Sequence, residues 1–125
     1  MVATNDKNSY GGIIEYSWVG TSPEDVNVSI DAIGAHFQIV QIAFNFDGAN
    51  TGSESEEFTA TTNHIESSRI DTEIFAQNML GLGGVLQRWN NNAGPYIPKG
   101  SAVDFAFENG VEGLSWGLSV MVRAE

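Results

Sequence analysis

Carboxyl groups are the most abundant side chains in this sequence that could do chemistry, with sixteen Asp and Glu residues among 125. Glycoside hydrolysis needs two of them on either side of a cleft at a defined separation. Asp104 and Glu108 share one face of a predicted strand, and Asp71 and Glu73 share one face of another. A short chain this rich in acids forms such pairs by coincidence, so we predict no catalytic residues and no enzymatic activity.

An acidic turn between two predicted strands offers oxygen ligands of the kind that calcium binds. The candidate ligands are Asp47, Asn50, Glu54 and Glu56. Their spacing differs from that of an EF-hand loop, and a solvated acidic loop accounts for the same residues. We therefore predict no metal site.

Phosphate binding and nucleophilic catalysis lack their usual sequence patterns. The glycine-rich segment GLGG at residues 81–84 is followed neither by the lysine of a phosphate-binding loop nor by a helix start. His36 and His64 are the two histidines, and no order of serine, histidine and acid around them matches a nucleophile relay. The sequence therefore predicts no cofactor.

Aromatic side chains are the remaining candidates for a binding site. Five of them fit the predicted core less well than Phe105, Phe107 and Trp116 do; these five are Tyr10, Tyr16, Trp18, Trp89 and Tyr96. Exposed aromatic rings on a β-sandwich could stack on sugar rings or insert into a protein partner. Both interpretations stay open at this point.

The overall charge restricts the possible partners. Five basic residues against sixteen acidic ones give a net charge of -11, so a polyanion would be repelled over most of the surface and we predict no nucleic-acid partner. The chain has no cysteine, which removes disulfides and thiolate chemistry. Since no segment approaches the roughly 20 apolar residues of a membrane span, we predict no membrane partner.

The elements that would position these residues are β-strands, because apolar and polar residues alternate with a period of two along most of the chain. The clearest strand has Trp116, Leu118 and Val120 on one face, so Trp116 is predicted to be buried. The predicted strands cover residues 12–18, 27–32, 35–46, 57–62, 69–77, 85–89, 102–108 and 114–123. About eight strands joined by Gly, Asn and Ser-rich turns predict an all-β fold, a single antiparallel β-sandwich of jelly-roll type.

Two segments of this pattern are ambiguous. In residues 35–46 the apolar positions change phase, which a β-bulge near Ile39 and Val40 would explain, as would burial of both faces. Ser22 to Asp25 is similar to a helix start, but the alternation of Val26, Val28 and Ile30 with polar residues favours a strand after it.

The chain is predicted to form one folded domain. Residues 11–125 would form the sandwich, and residues 1–10, which are mostly polar, would form a flexible N-terminal arm.

Four segments resemble small β-sandwich structural proteins of tailed bacteriophages and prophages. They are FQIVQIAF at residues 37–44, SRIDTEIF at 68–75, IPKGSAVDFAFEN at 97–109 and WGLSVMVR at 116–123. The resemblance covers residues 35–123 and implies a virion structural protein without enzymatic activity. It implies first a capsid decoration (cement) protein on the outer shell, next a neck, tail or fibre component, and a homo-oligomer that is a trimer. The location implied is the virion, assembled in the host cytoplasm.

Docking onto the particle is predicted to use the N-terminal part, which lies outside the resemblance. The partner would be the major capsid protein or another virion protein, and apolar burial would hold it, since a net charge of -11 makes long-range attraction to an acidic surface unfavourable. The predicted partner-binding residues are Tyr10, Ile13, Ile14, Tyr16 and Trp18. The alternative is a carbohydrate-binding β-sandwich module with an exposed aromatic row.

Overall fold

The computed structural model describes the backbone of residues 4–10 and, with side chains, residues 12–21, 24–31, 35–48, 57–90, 93–109 and 114–124. This part of the chain forms β-strands and one 3₁₀ turn, Ser68–Ile70. The strands are β1 (Thr4–Tyr10), β2 (Ile13–Gly20), β3 (Val26–Ile30), β4 (Phe37–Phe46), β5 (Glu57–Asn63), β6 (Glu73–Asn78), β7 (Gly84–Arg88), β8 (Tyr96–Ile97), β9 (Ala102–Phe107) and β10 (Trp116–Ala124).

The strands form two antiparallel sheets with the strand order of a jelly roll. Sheet A has the order β1-β2-β10-β4-β7, with β8 also paired to β4, and sheet B has the order β3-β9-β5-β6. Four nested pairs generate this order: β2 with β10, β3 with β9, β4 with β7, and β5 with β6. The predicted β-sandwich of jelly-roll type is therefore confirmed, with β1 and β8 added to the eight strands of the roll.

The core lies between the two sheets and is rich in aromatic rings. The Phe44 ring in sheet A stacks on the Phe58 ring in sheet B, with centroids 4.5 Å apart and planes 13° apart. In β10 the alternate residues Trp116, Leu118 and Val120 are buried, which confirms the predicted inward face of this strand. Burying each large apolar side chain contributes about 1.5–3 kcal/mol, so this layer is the main source of stability.

The change of phase in β4 comes from a β-bulge. Met121 of β10 is opposite Gln41 while Val122 is opposite Ile39, which leaves Val40 as the extra residue. The bulge turns both Ile39 and, beyond it, Ile42 towards the core, where both are buried. The bulge predicted near Ile39 and Val40 is confirmed.

The segment around residue 70 differs from its predicted form. A strand was expected over residues 69–77, but Ser67 accepts a hydrogen bond from the Arg69 backbone N–H and caps the 3₁₀ turn, and β6 begins at Glu73. Local hydroxyl-to-backbone bonding therefore outweighs the strand pattern at this point. Ser22 and Pro23 lie outside the described residues, and the strand predicted after them is present as β3.

The N-terminal segment also differs from its predicted form as a flexible arm over residues 1–10. Thr4–Tyr10 is a strand that pairs with β2 along its whole length, from Thr4 opposite Val19 to Tyr10 opposite Ile13. Residues 1–3 lie outside the described residues. A polar sequence can form an edge strand because its backbone groups, and not apolar side chains, provide the pairing.

Candidate interaction surface

Four of the five predicted partner-binding residues lie in β2, on both of its faces, and Tyr10 is the last residue of β1. Tyr16 and Trp18 face the core and are buried, and Ile14, of the same phase, is partly buried against it. The Tyr16 ring stacks on Trp18 with centroids 6.3 Å apart. The assignment of Tyr16 and Trp18 to a docking surface therefore needs correction, because β2 lies between β1 and β10 and its inner side closes the sandwich.

The phenol of Tyr16 has a perturbed titration. Burial raises its pKa above the ordinary value of 10.0, and the nearby carboxylate of Asp31 raises this pKa further. Because the neutral phenol is the form that packs in the core, this group has a structural role.

Ile13 belongs to the opposite side of β2, the outer side of sheet A, and Tyr10 is paired with it in register. The register across the sheet aligns the outward residues of five strands, β2, β10, β4, β7 and β8, in rows. We call these residues the sheet A face. Its rows are Val19, Gly117, Asn45 and Gly84; Ser17, Ser119, Ala43 and Leu86; Glu15, Met121, Gln41 and Arg88; and Ile13, Arg123, Gln38 and Tyr96.

Small side chains occupy the middle of the sheet A face. Small residues, Ser17, Ser119 and Ala43, lie side by side on three adjacent strands and are already half-buried. Apolar side chains border them: Val19 is 57% exposed and Leu86 is 55% exposed. Exposed apolar side chains around short ones are a feature of surfaces that bind another protein.

The sheet A face is weakly charged within a strongly acidic chain. The rows of this face contain two basic residues and one acidic one, a net charge of +1; these are Arg88, Arg123 and Glu15. The strands of sheet B contain Glu57, Glu73 and Asp104 and no basic residue. Since the whole chain carries -11, nearly all the repulsive charge lies away from sheet A.

Polar contacts hold the charged groups of the sheet A face in place. The Ser119 hydroxyl donates to Glu15 Oε2 at 2.6 Å, and Arg88 Nε donates to Gln41 Oε1 at 3.0 Å. These bonds link neighbouring strands, so the positions of the carboxylate and of this guanidinium are defined before any partner binds.

One end of the sandwich, which we call the Tyr96 end, continues the sheet A face. Tyr96 is 52% exposed, and its ring lies 5.5 Å from the ring of His36. His36 Nδ1 accepts a hydrogen bond from the Lys99 backbone N–H at 2.8 Å. Ile65 is also exposed, and its backbone N–H donates to Ser101 Oγ at 3.0 Å. Hydrogen bonds between loops therefore hold the segments that carry the exposed side chains of Tyr96 and Ile65.

The opposite end, which we call the acidic end, consists of the connections β2–β3, β4–β5, β6–β7 and β9–β10. These connections contain no lysine or arginine, and their acidic residues are Glu24, Asp25, Asp47, Glu54, Glu56, Glu108 and Glu112. Asn109 joins two of them, because its backbone N–H donates to Asp25 Oδ1 at 2.8 Å and its side-chain Nδ2 donates to the Leu114 carbonyl at 2.7 Å.

Of the other candidates from the sequence, two carboxylates have structural partners, and three of the four calcium candidates lie outside the described residues. Asp104 accepts a bond from Ser29 Oγ at 2.5 Å, and Asp71 accepts one from the His64 backbone N–H at 2.7 Å. Of the four calcium candidates Asp47 is described, and its backbone N–H donates to the Ser115 carbonyl. In the described ranges no three His, Cys, Asp or Glu side chains are grouped to hold a metal.

The aromatic candidates Trp89 and Tyr96 differ in how exposed their side chains are. Trp89 is half-buried against the core, and its backbone N–H donates to the Val40 carbonyl at 3.1 Å. Tyr96 is the one Tyr, Trp or Phe with a largely exposed side chain among those whose side chains the structure describes.

Among the residues that the structure describes, no helix has the length and apolar character to cross a bilayer.

No family model matches the sequence, and no curated protein matches it. Among solved structures, the chain is similar to one in the "Structure of infectious bursal disease virus Gx strain", with 16% sequence identity and a TM-score of 0.41. That similarity covers 98% of this chain and 31% of the viral chain, so this chain spans less than a third of its length. Another similar chain, from "CBM4 structure and function", has 15% identity and a TM-score of 0.28, with 98% and 78% covered.

Proposed function

We propose that the chain is a non-enzymatic structural protein of a bacteriophage virion, namely a capsid decoration protein bound to the outer shell. A neck, tail or fibre component is the second placement. The observation that carries the proposal is the Tyr96 end, where exposed apolar side chains lie beside basic residues on a chain of net charge -11. Jelly rolls recur in viral shells, and this analogy of fold supports the same placement.

The chemistry of the described residues favours binding over catalysis. Asp71 and Asp104 accept hydrogen bonds that hold loops and strands together, which occupies carboxylates that a hydrolytic pair would need. The exposed apolar side chains of the sheet A face and of the Tyr96 end suit protein partners, whereas small substrates need concave sites.

The Tyr96 end is the part of the surface that we assign to the shell. Ile65, Ile70 and Tyr96 are exposed there, and the two basic residues that lie outside the strands, Arg69 and Lys99, belong to its connections. The acidic end would then point away from the particle, since its connections contain acidic residues and no lysine or arginine, and would repel an acidic shell.

Purified particles of the phage or prophage that encodes the chain provide the test. Quantitative mass spectrometry should find the chain in a fixed ratio to the major capsid protein after density-gradient purification. Particles that lack the chain should bind the recombinant protein, and Ile65→Asp should weaken this binding at least tenfold. Leu80→Asp, which changes an exposed aliphatic residue between β6 and β7 at the acidic end, is the matched control. Absence of the chain from the particles would refute the proposal.

One observation favours a carbohydrate-binding module as the second candidate function. The exposed Tyr96 ring lies beside His36 on a hydrogen-bonded connection, an arrangement that can stack on a sugar ring. A glycan array with the wild type and with Tyr96→Ala distinguishes the two functions. Binding of one sugar class that Tyr96→Ala abolishes would establish the module, and an array without signal favours the virion role.

A further inference from the structure

We propose that the outer edge of β7 binds an extended segment of another protein, which pairs with it as an added antiparallel strand of sheet A. The segment has an aliphatic residue opposite Leu86 and a carboxylate opposite Arg88. Such binding does not depend on the virion role, because it follows from the backbone of β7 and from the charge around it.

The backbone groups of β7 alternate between its two sides. The Phe46 N–H donates to the Gly83 carbonyl at 2.9 Å, and the Trp89 N–H donates to the Val40 carbonyl at 3.1 Å, so every second residue bonds to β4. In an antiparallel pair the residues between these direct their N–H and C=O groups to the other side; they are Gly84, Leu86 and Arg88. Within the described part of the chain β7 ends sheet A, so no described strand pairs with these groups. The one bond printed on that side is long, 3.4 Å from Gln87 Nε2 to the last of these carbonyls, and an added strand can replace it.

The other edge strands carry acidic residues that hinder pairing with a foreign strand. β1 and β6 contain one each and β3 lies between two; these are Asp6, Glu73, Asp25 and Asp31. β7 contains no acidic residue, and Arg88 is the one charged residue in the whole of residues 74–98. On a chain of net charge -11, a neutral or acidic segment therefore meets the least repulsion at β7.

Arg88 determines which segment fits this edge. Its side chain is exposed, and its Nε donates to Gln41 Oε1 at 3.0 Å. A guanidinium has five N–H donors, so this one can also bind a carboxylate on the directly opposite residue, a pairing that stabilises sheets. A second copy of this chain is a poorer occupant, because two copies that each carry -11 repel each other far more than one copy repels a segment with a single carboxylate.

An added strand would also cover apolar side chains on both sides of sheet A. On the outer side Leu86 is 55% exposed, and a directly opposite residue would lie about 4.5–5.5 Å from it between Cβ atoms. On the inner side Val85 and Trp89 are half-buried at the border of the core. The residues of the segment that alternate with the outward ones would lie beside Val85 and Gln87, where a threonine offers both a methyl and a hydroxyl group.

An end-capped synthetic peptide of this chemistry is the probe. Valine alternates with threonine, and a glutamate replaces the valine two positions before the central valine, so that antiparallel pairing places it opposite Arg88. In an NMR titration of the isotope-labelled chain, the amide signals of Gly84, Leu86 and Arg88 should shift and those of β3 should stay in place. A peptide with lysine in place of the glutamate should bind roughly threefold to tenfold more weakly. Equal binding of the two peptides would overturn the pairing with Arg88.

Two substitutions at one position separate backbone pairing from side-chain contact. Leu86→Pro removes the outward N–H and leaves the bonds to β4, which use the neighbouring residues. It should weaken binding of the glutamate peptide at least about tenfold. Leu86→Thr is the matched control, because it keeps the N–H and shortens the aliphatic side chain, and it should weaken binding only about threefold. If Leu86→Pro does not fold, Leu86→Asp replaces it, since its carboxylate would repel the glutamate of the peptide.

Hydrogen exchange in the chain without peptide tests whether the edge is open. The Leu86 amide should exchange much faster than those of Val85 and Gln87, which bond to β4. A slow Leu86 amide would show that the edge is already covered and would overturn the proposal. Unchanged amide signals at about 1 mM peptide would do the same.

The remaining outcomes identify a different occupant or a different kind of contact. Equal losses for Leu86→Thr and Leu86→Pro would show that the side chain alone holds the peptide, which overturns strand addition. A wild type that dimerises by light scattering, and that Leu86→Pro converts to the 13.5 kDa monomer, would place a second copy on this edge and overturn the assignment to another protein.

Discussion

Replacing Trp116 by alanine tests whether the last strand closes the core as the structure has it. Trp116 is buried; its ring lies 6.2 Å from the ring of Phe44, and its Nε1 donates to the Glu24 carbonyl at 2.9 Å. The indole also covers Gly20, where an added Cβ would be within 2.5 Å of three of its atoms. The substitution therefore removes a large ring, a hydrogen bond and the cover over a residue without a side chain.

The expected loss in the free energy of unfolding is about 3–5 kcal/mol, the range for burying and then deleting a large aromatic side chain. The upper part of this range applies because Gly20 has no side chain that could move into the cavity. For a domain of this length such a loss lowers the thermal midpoint by about 10–20 °C. Total stabilities of about 5–15 kcal/mol mean that the variant is marginally folded.

Urea unfolding followed by fluorescence and by circular dichroism measures this change. Trp89→Ala is the control, because Trp89 is half-buried and packs only at the margin of the core, and it should cost clearly less. A decrease below about 1 kcal/mol in the free energy of unfolding for Trp116→Ala would refute the packing described for β10, because deleting a buried indole destabilises a protein by more than this.

Three further changes test other contacts. Gly20→Ala should destabilise by about 1–3 kcal/mol, because its Cβ would displace the Trp116 ring, whereas Gly117→Ala, with nothing nearer than 4.0 Å, should be neutral or slightly stabilising in the same urea assay. The pKa of the Tyr16 phenol is higher in the folded state than in the unfolded state, so the stability that this group contributes is complete below the ordinary value of 10.0 and is lost as pH rises above it. Tyr16→Phe should therefore reduce the loss of stability at alkaline pH. A variant whose unfolding midpoint changes with pH as the wild type does would contradict this pKa shift. Asn109→Ala removes a buried side chain that both donates to and accepts from the backbone of the β9–β10 connection. The free energy of unfolding should fall by about 1–3 kcal/mol, as measured by thermal unfolding. An unchanged stability would contradict these hydrogen bonds.

The sequence predicts the sandwich well because the core imposes a strict period of two. Trp116 and its neighbours in β10 show this period without interruption, and even the defect at Val40 leaves a visible change of phase. These signals are local and follow from burial on one face. The nested strand order is then the way in which a single chain of about eight such strands closes two sheets.

Features that depend on pairing partners are poorly predicted from the sequence. β1 is polar, so no burial pattern marks it, and its assignment depends on the free edge that β2 offers. Tyr16 and Trp18 resemble exposed aromatics in the sequence because the bulkiest residues of β2 alternate with Glu15 and Ser17, which a surface strand also shows. The sheet A face combines residues from five strands, and its rows exist only once the register is fixed.

The pairing of β2 with β10 has a consequence for how the chain reaches its folded state. The bond between Ser119 and Glu15 joins residues 104 positions apart, and the same strand pair runs through the middle of sheet A. Domains dominated by such distant pairings fold slowly, in about milliseconds to seconds, because loop closure must precede the contacts that reward it. On the ribosome, sheet A cannot be completed until β10 has emerged, so nascent chains expose β2 and β4 throughout synthesis.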